Sequence, residues 1–392
     1  MPGLWFYENK ESMVGKDPAK VIKEGLAKAL VFFYPLAGRL TEGPNKKLIV
    51  DCNGEGVLFV TAEANVALHK LGDFIHSPCP YLKKLQYNVP GSHRITGCPL
   101  LLIQVTRFSC GGFALGVRFN HTMVDGYGIQ LFLKAVCELA QGGSAPSVLP
   151  VWERELLTAA DPITPTTHHA VYGAADMRNN FKRLDIEWWG TILFNFEKLA
   201  SKPLFFFFPN ILKPILLRSS FLFGPNEIQA LRDQAAAQGF GPCTTFELIS
   251  ACLWKCRTIA LQPNPNATTA KLLCESPITY AIELIREAKS KVSTDYVKSV
   301  LDFLVINGRP RMSVMRNVLV SDISRIGLEK IDFGWGDAIF AGAATAAYGA
   351  TFLERPKSNS STERSVLVPI SLPHLSMLIF KREIKKMTKF NL

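Results

Sequence analysis

The chain has 392 residues, of which 48% are hydrophobic and 20% are charged. These proportions are typical of a globular protein with sizeable hydrophobic cores, and they exclude intrinsic disorder as its main state. At about 150 residues per domain, the length predicts two domains. The net charge of +11 favours anionic partners. Because the basic residues are scattered and no nucleic-acid-binding motif accompanies them, we expect no nucleic-acid partner.

The cysteines and the apolar segments bear on metal binding and on location. The nine cysteines lack the paired spacing that metal sites use, so we predict no metal centre. Cys252 and Cys256 lie on the apolar stripe of a predicted helix and are expected to be buried free thiols. The N-terminal sequence does not resemble a secretory signal, and we expect a reducing, cytoplasmic location. Lysines and prolines interrupt the apolar residues 188–217 too often for a membrane span.

The first predicted elements are a helix and two strands. Residues 16–35 predict a helix with Asp17 as its N-cap and Pro18 in its first turn. Residues 46–64 predict two strands on either side of the Asn53-Gly54 turn.

A longer hairpin and a second helix follow. Residues 99–120 predict a hairpin that turns at Gly111-Gly112, and its second strand leads to His121. Because residues 127–140 have apolar side chains at helical intervals, His121 lies at a predicted strand-to-helix turn. Residues 161–173, rich in proline and threonine, predict a linker. The second half predicts helices at 225–239, after the capping-box pair Thr244 and Glu247, at 280–292 and at 295–305, and strands at 316–323 and 364–372.

His121 is the main candidate for catalysis. A neutral imidazole can take a proton from an alcohol or amine near neutral pH, so His121 is a candidate general base. Asp125, four residues on, would orient the turn or the ring, and Gly126 and Gly128 would let backbone and substrate approach closely. The spacing alone leaves two alternatives open. One is a capped helix start with a structural histidine, and the other is half of a metal site, for which the sequence offers no third ligand cluster.

A second unusual cluster consists of Asp332, Phe333, Gly334, Trp335 and Gly336. Its first three residues also occur in protein kinases, but the sequence has neither a glycine-rich phosphate loop nor a kinase catalytic loop. Taken alone, the cluster predicts a tight turn that carries large aromatic side chains in a structural role.

The order and separation of the two clusters resemble those of the plant BAHD acyl-CoA-dependent acyltransferases. HTMVDG, residues 121–126, resembles the family's histidine motif, and DFGWG, residues 332–336, matches its second signature. The resemblance is closest to the benzyl alcohol and methanol O-acyltransferases, and it covers most of the chain except about residues 179–217. Further segments that resemble the family are GKDPAKVIKEGLAKALVFFYPLAGRL, DCNGEGVLF, CPLLLIQVTRF, APSVLPVWERELL, TTFELISACLWKCRTIAL and LVSDISRIGLEKIDFGWG.

The resemblance implies an α/β protein with two chloramphenicol-acetyltransferase-like domains joined by a long crossover. On this basis we assign residues 1–155 to an N-terminal domain that carries His121. Residues 156–220 form the crossover with an atypical apolar insert, and residues 221–392 form a C-terminal domain that carries DFGWG. We expect no permanently bound cofactor. Acyl-CoA would be a co-substrate, a small alcohol would be the acceptor, and the chain would be a monomer.

The resemblance also implies a role for each motif. His121 would deprotonate the acceptor hydroxyl, and the alkoxide would attack the thioester carbonyl without a covalent enzyme intermediate. Asp125 would point away from the substrate and pair with an arginine. The segment 332–336 would support the architecture away from the reacting atoms.

The sequence departs from the family at three places. Family members have a few dozen residues before the position of Met1. They also carry a run with arginines and a double tyrosine between the positions of residues 261–266 and 268–277, which supplies strands and the arginines that pair with both motif aspartates. The phenylalanines at 205–208 have no family counterpart. The alternative to an active acyltransferase is therefore a truncated, catalytically impaired relative that binds coenzyme A or a small molecule without turnover.

Overall fold

The computed structural model describes residues 1–44, 47–92, 94–159, 191–195, 216–261, 268–306, 317–346, 349–356 and 365–388. The predicted linker at 161–173 and the phenylalanines at 205–208 lie outside these stretches. Within them the helices are α1 (Pro18–Phe32), α2 (Leu82–Leu85), α3 (Gly126–Ala140), α4 (Pro225–Ala236), α5 (Thr245–Leu261), α6 (Thr268–Glu275), α7 (Ile278–Ser290), α8 (Thr294–Ile306) and α9 (His374–Thr388). The strands are β1 (Pro2–Tyr7), β2 (Arg39–Glu42), β3 (Leu48–Asp51), β4 (Leu58–Ala64), β5 (Leu101–Phe108), β6 (Phe113–Phe119), β7 (Thr191–Asn195), β8 (Leu216–Phe223), β9 (Asn317–Asp322), β10 (Phe340–Ala343), β11 (Ala350–Leu353) and β12 (Val366–Pro373).

The chain divides into two compact units. The first consists of Met1–Trp152, Ile323–Thr345 and Glu354–Glu363, and the second of Glu153–Asp322, Ala346–Leu353 and Arg364–Leu392. This division differs from the boundaries assigned from the sequence, because it groups the DFGWG segment with the N-terminal residues. The physical reason is that β10, which follows DFGWG, pairs with β1, placing Phe340 opposite Phe6.

A five-stranded sheet, in the order β10-β1-β6-β5-β4, forms the base of the first unit. The β5–β6 hairpin turns at Gly111, which has a φ of +82°, and this confirms the predicted hairpin. Strands β3 and β4 flank Asn53 as predicted, but β3 pairs with β2 and β4 pairs in parallel with β5. Arg39 holds the loop between them, since its guanidinium donates to the Gly56 carbonyl at 2.8 Å and pairs with Glu55 at 3.1 Å.

Strand β1 lies between β6 and β10 and is buried along most of its length. Leu4, Trp5, Phe6 and Tyr7 are each at most 1% exposed. Strands covered on both faces have such uninterrupted apolar runs. The strand is not among the predicted elements, because a short run of this kind lacks the polar–apolar alternation on which strand prediction depends.

Helices α1 and α3 pack against each other within the first unit. Gly25 marks their closest approach, since a Cβ there would lie 2.5 Å from the Val136 carbonyl oxygen and 2.7 Å from the Ala140 Cβ. Asp17 caps α1 as predicted, accepting a hydrogen bond from the Ala19 N–H at 3.0 Å. The absence of a side chain at Gly25 therefore lets the backbones of α1 and α3 pack directly against each other.

The second unit contains α4–α9, the β8–β12 pair and the β7-β9-β11 sheet. Helices α4, α7 and α8 and strands β9 and β12 confirm the elements predicted there to within a few residues. The capping box at the start of α5 is also confirmed. The Thr244 hydroxyl accepts from the Glu247 N–H at 3.2 Å, and the Glu247 carboxylate accepts from the Thr244 N–H at 3.0 Å. Cys252 and Cys256 are buried free thiols, as predicted.

Within the described part of the chain, no helix combines the length and the apolar character needed to cross a bilayer.

Candidate active site

The turn between β6 and α3 carries His121. Its first residue, Asn120, donates its backbone N–H to the Leu100 carbonyl at 2.8 Å, and its own carbonyl accepts from the Met123 N–H at 3.0 Å. His121 is thus the second residue of a tight turn that is fixed to the sheet on one side. Its side chain is exposed, whereas Phe119 before it is buried. The local fold therefore places an accessible imidazole at the end of a buried strand.

The imidazole of His121 contacts the ring of Phe119, with 5.7 Å between the ring centroids. Among the described residues, no side chain or backbone group forms a hydrogen bond with the imidazole. The Asp125 carboxylate accepts its hydrogen bond from the Gly128 N–H, so His121 and Asp125 do not form a hydrogen-bonded acid–base pair. The position of the His121 ring is therefore set by the turn that carries it.

Asp125 is the N-cap of α3. Its backbone is extended, with φ −95° and ψ −165°, and its carboxylate accepts from the Gly128 N–H at 2.7 Å. This bond satisfies one of the free N–H groups at the start of the helix. Within the described stretches, no arginine lies within ion-pair distance of Asp125. The carboxylate therefore caps the first turn of α3, the helix that follows His121.

The glycines after Asp125 permit close packing at the start of α3. A Cβ at Gly126 would lie 3.3 Å from Ile326 Cδ1, and one at Gly128 would lie 3.2 Å from Val124 Cβ. Both distances are tighter than ordinary van der Waals contact. The small residues therefore let the helix start sit against Ile326, which follows β9 in the chain.

The DFGWG segment forms a tight turn around the carboxylate of Asp332. One oxygen, Oδ1, accepts from the N–H of Gly334 at 2.6 Å and from the N–H of Gly336 at 2.7 Å. Both glycines have positive φ, +109° and +90°, which other residues rarely adopt. The large side chains of Phe333 and Trp335 are buried. The segment is thus a tight turn that carries large aromatic side chains, as predicted from the sequence.

Aromatic contacts attach the DFGWG turn to the sheet. Phe333 packs edge-on to Tyr7 with 5.9 Å between centroids, and Trp335 packs edge-on to Phe113 at 5.3 Å. The Tyr7 hydroxyl donates to the Ile331 carbonyl at 2.7 Å. The turn is thus fixed to β1 and to β6, the strand that leads to His121.

Helix α3 separates the DFGWG turn from His121. Gln141, just after the helix, donates to the Asp332 carbonyl at 2.6 Å, while His121 precedes the opposite end of the helix. Fifteen residues rising 1.5 Å each span about 22 Å. This distance along the helix supports a role for DFGWG that does not involve direct contact with reacting atoms.

Sequence reasoning did not single out Asn120 and Thr122, which flank His121. The Asn120 side-chain oxygen accepts from both the N–H and the hydroxyl of Thr122. The signal was present, because an asparagine commonly bonds to the backbone two residues further on.

Within the described residues, no group of three histidine, cysteine or acidic side chains is arranged to hold a metal ion.

The comparisons with known proteins place the chain in a family. The model of the Transferase family matches residues 1–201 and 260–387. Among curated relatives, the benzyl alcohol O-benzoyltransferase of Petunia hybrida is 40% identical over 99% of this chain and 86% of its own length. Alcohol acyl transferase 2 of Malus domestica is 41% identical over 99% of this chain and 87% of its own length.

Solved structures confirm the predicted fold. Vinorine synthase superposes with a TM-score of 0.64 at 20% identity, covering 99% of this chain and 90% of its own. TRI101 of F. sporotrichioides, complexed with coenzyme A and T-2, superposes with a TM-score of 0.69 at 14% identity, covering 99% and 94%. At these identities the structures establish the fold alone. The family match and the relatives at 40% identity show that this chain belongs to the Transferase family, as the resemblance of its two motifs to the BAHD acyltransferases predicts.

Proposed function

We propose that this protein transfers an acyl group, in particular an aroyl group, from an acyl-CoA thioester to the hydroxyl of a small alcohol. The observation that carries the proposal is the position of His121, an exposed imidazole on a turn anchored to a buried sheet. The substrate classes are supported by relatives at 40–41% identity that are named as benzyl alcohol O-benzoyltransferase and alcohol acyl transferase.

His121 acts as the general base. The neutral imidazole takes the proton of the alcohol hydroxyl as the oxygen forms a bond to the thioester carbonyl carbon. The tetrahedral intermediate then collapses, the C–S bond breaks, and the thiolate of coenzyme A takes the proton from the imidazolium. The products are an ester and free coenzyme A, and the imidazole returns to its neutral form. No bond forms between the protein and the acyl group.

The remaining motif residues act through the fold. Asp125 caps α3 and Asp332 organises the DFGWG turn, so both carboxylates are bound to backbone N–H groups. Both carboxylates thus support the backbone, and we assign the proton transfer to His121, whose imidazole is exposed and has no hydrogen-bond partner among the described residues. Acyl-CoA is a co-substrate, consumed in each turnover, and the solved TRI101 complex with coenzyme A supports this class of donor for the fold.

The proposal extends to assembly and location. We infer a monomer that works in the cytoplasm, where a reducing environment keeps thiols free. All nine cysteines are free, and Cys52 and Cys110 are exposed to solvent. Light scattering on a sizing column should give a mass near 43.4 kDa. A mass of twice that value would contradict the monomer.

The test is to incubate the purified protein with benzoyl-CoA and benzyl alcohol and to measure the release of free thiol. Benzyl benzoate should form in equal amount, and omission of the alcohol should abolish most of the thiol release. Tight binding of coenzyme A without ester formation from any of a panel of alcohols would instead establish the catalytically impaired relative. That result would reject the enzyme function.

A further inference from the structure

Asn120 spans His121 with its side chain. Its Oδ1 accepts from the Thr122 N–H at 3.1 Å and from the Thr122 hydroxyl at 2.8 Å. Each bond closes a ring of atoms that includes the backbone of His121. Its Nδ2 donates to the Ile95 carbonyl at 3.4 Å. The amide therefore connects the residue after His121 to a separate loop of the same unit.

Apart from the backbone bonds of Asn120 to Leu100 and Met123, the two middle residues of the turn have few restraints. His121 and Thr122 are exposed, so burial contributes little to fixing their positions. The imidazole has no hydrogen-bond partner among the described residues, unlike a catalytic histidine that a carboxylate orients. Apart from its contact with the Phe119 ring, the imidazole is restrained through the backbone on either side of it, and the Asn120 side chain bridges that backbone.

We propose that Asn120 is a positioning residue that fixes the His121 turn and so places the general base for proton transfer. This inference rests on the proposed function of His121 and extends it to a residue that does not touch the reacting atoms. Loss of the amide would let the imidazole move by a fraction of an ångström or more. Displacements of about 1 Å at a reacting group cost rates on the order of 10²-fold.

The test compares four variants by steady-state kinetics with benzoyl-CoA and benzyl alcohol. Asn120→Ala removes all three side-chain bonds, and Thr122→Val removes only the hydroxyl bond. Asn120→Asp keeps the acceptor for both Thr122 groups. The matched control is Asn53→Ala, because the Asn53 Oδ1 accepts from the Glu55 N–H at 3.1 Å in the same kind of turn, remote from His121 in sequence.

We expect Asn120→Ala to lower kcat by at least about 10-fold while KM for both substrates changes by less than about two-fold. Thr122→Val should have a smaller effect, and Asn120→Asp should recover most of the lost kcat. Asn53→Ala should be as active as the parent protein. The melting temperature of Asn120→Ala should stay within a few degrees of the parent. A parent-like kcat in Asn120→Ala would overturn the proposal.

A double variant separates the positioning proposal from the proposed function. If Asn120 acts only through His121, adding Asn120→Ala to His121→Ala should cause no further loss, because coupled residues are non-additive. A further 10-fold loss in the double variant would overturn the positioning role. Full activity in His121→Ala would reject the base assignment itself. If Asn120→Ala proves unstable, Thr122→Val takes its place and is compared with and without His121→Ala, since it removes a single hydrogen bond.

Discussion

Gln141 donates a hydrogen bond from its side-chain amide to the main-chain carbonyl of Asp332 at 2.6 Å. Asp125 caps the other end of the same helix, with its carboxylate 2.7 Å from the Gly128 nitrogen. The two sequence motifs are thus attached to opposite ends of α3. A helix held at both ends presents the turn before it, and therefore His121, in a defined position.

Replacing His121 with alanine should lower kcat by about 10²–10⁴-fold, the usual contribution of a general base. The melting temperature should not change, because the side chain is exposed and has no hydrogen-bond partner among the described residues. His69→Ala provides the control, since His69 is an exposed histidine of the same unit and should leave turnover unaffected. Undiminished turnover in His121→Ala would refute the mechanism proposed above.

Replacing Asp125 with alanine should destabilise the protein by about 0.5–2 kcal/mol, the range for loss of an N-cap, and should also lower kcat because the His121 turn loses its support. Asp125→Asn should retain both stability and most activity, since asparagine caps helices equally well. Thermal unfolding and kinetics measured on the same samples test this. Asp17→Ala removes the cap of α1 and should lower the melting temperature without a comparable loss of kcat.

The two Asp125 variants distinguish a cap from a chemical role. If Asp125→Asn were as inactive as the alanine variant while its melting temperature matched the parent, the charge of the carboxylate would be needed for the reaction itself.

Replacing Asp332 with alanine should cost roughly 2–4 kcal/mol, because two backbone N–H groups lose a charged acceptor. Catalysis well below the melting temperature should change by less than about three-fold, since α3 separates this turn from His121. Asp337→Ala is a suitable control in the same segment. It removes only an exposed ion pair with Lys330, which is worth about 0–1 kcal/mol. A large loss of kcat with normal stability would assign DFGWG a role in catalysis.

Stability should fall in acid through Glu247. Burial alone raises the pKa of this carboxyl, but the Thr244 N–H and the cations of Arg286 and Lys289 outweigh burial and lower the pKa to about 2. A lowered pKa contributes stability above the unfolded value of about 4.5, and that stability disappears as the pH falls from about 4.5 to about 2. The contribution is at most about 3 kcal/mol.

Urea unfolding between pH 6 and pH 2.5 tests this contribution. Glu247→Gln should be less stable than the parent at pH 6, and the difference should shrink steadily toward pH 2.5. Glu287→Gln removes an exposed pair with Lys291 and should leave the pH profile unchanged. Parallel profiles for the parent and Glu247→Gln would show that another group controls the acid response.

Elements with local signals could be predicted from the sequence. The cap at Asp17, the hairpin turn at Gly111 and the capping box at Thr244 each depend on residues within a few positions of one another, and each is present. Strands β1 and β10 could not be predicted, because their stability comes from partners far away in the chain. The sequence also assigned DFGWG to the C-terminal domain, because no residue near this segment in the chain indicates that β10 pairs with β1.

The candidate site was predicted in part. Residue type and spacing made His121 and Asp125 candidates, and the resemblance to the BAHD acyltransferases supplied their expected roles. The sequence also predicted the strand-to-helix turn that the structure contains. The hydrogen bonds of Asn120 and the packing of Gly25 against Val136 depend on side-chain direction and on helix contact. Neither quantity follows from periodicity. The bond between Asn120 and the backbone of Thr122 has a local sequence signal, whereas the bond to Ile95 and the packing of Gly25 appear only in three dimensions.

The pairing of β1 with β10 bears on how the protein is made. Residue Gly3 lies opposite Ala343, so the two strands are separated by most of the polypeptide. During synthesis, β1 can pair with β6 once Phe119 has been added, but its second edge stays open until the ribosome reaches β10, which begins at Phe340. Such long-range contacts slow folding and prolong the exposure of unpaired strand edges, which favour aggregation. We therefore expect the yield of folded protein to depend strongly on chaperones and on expression temperature.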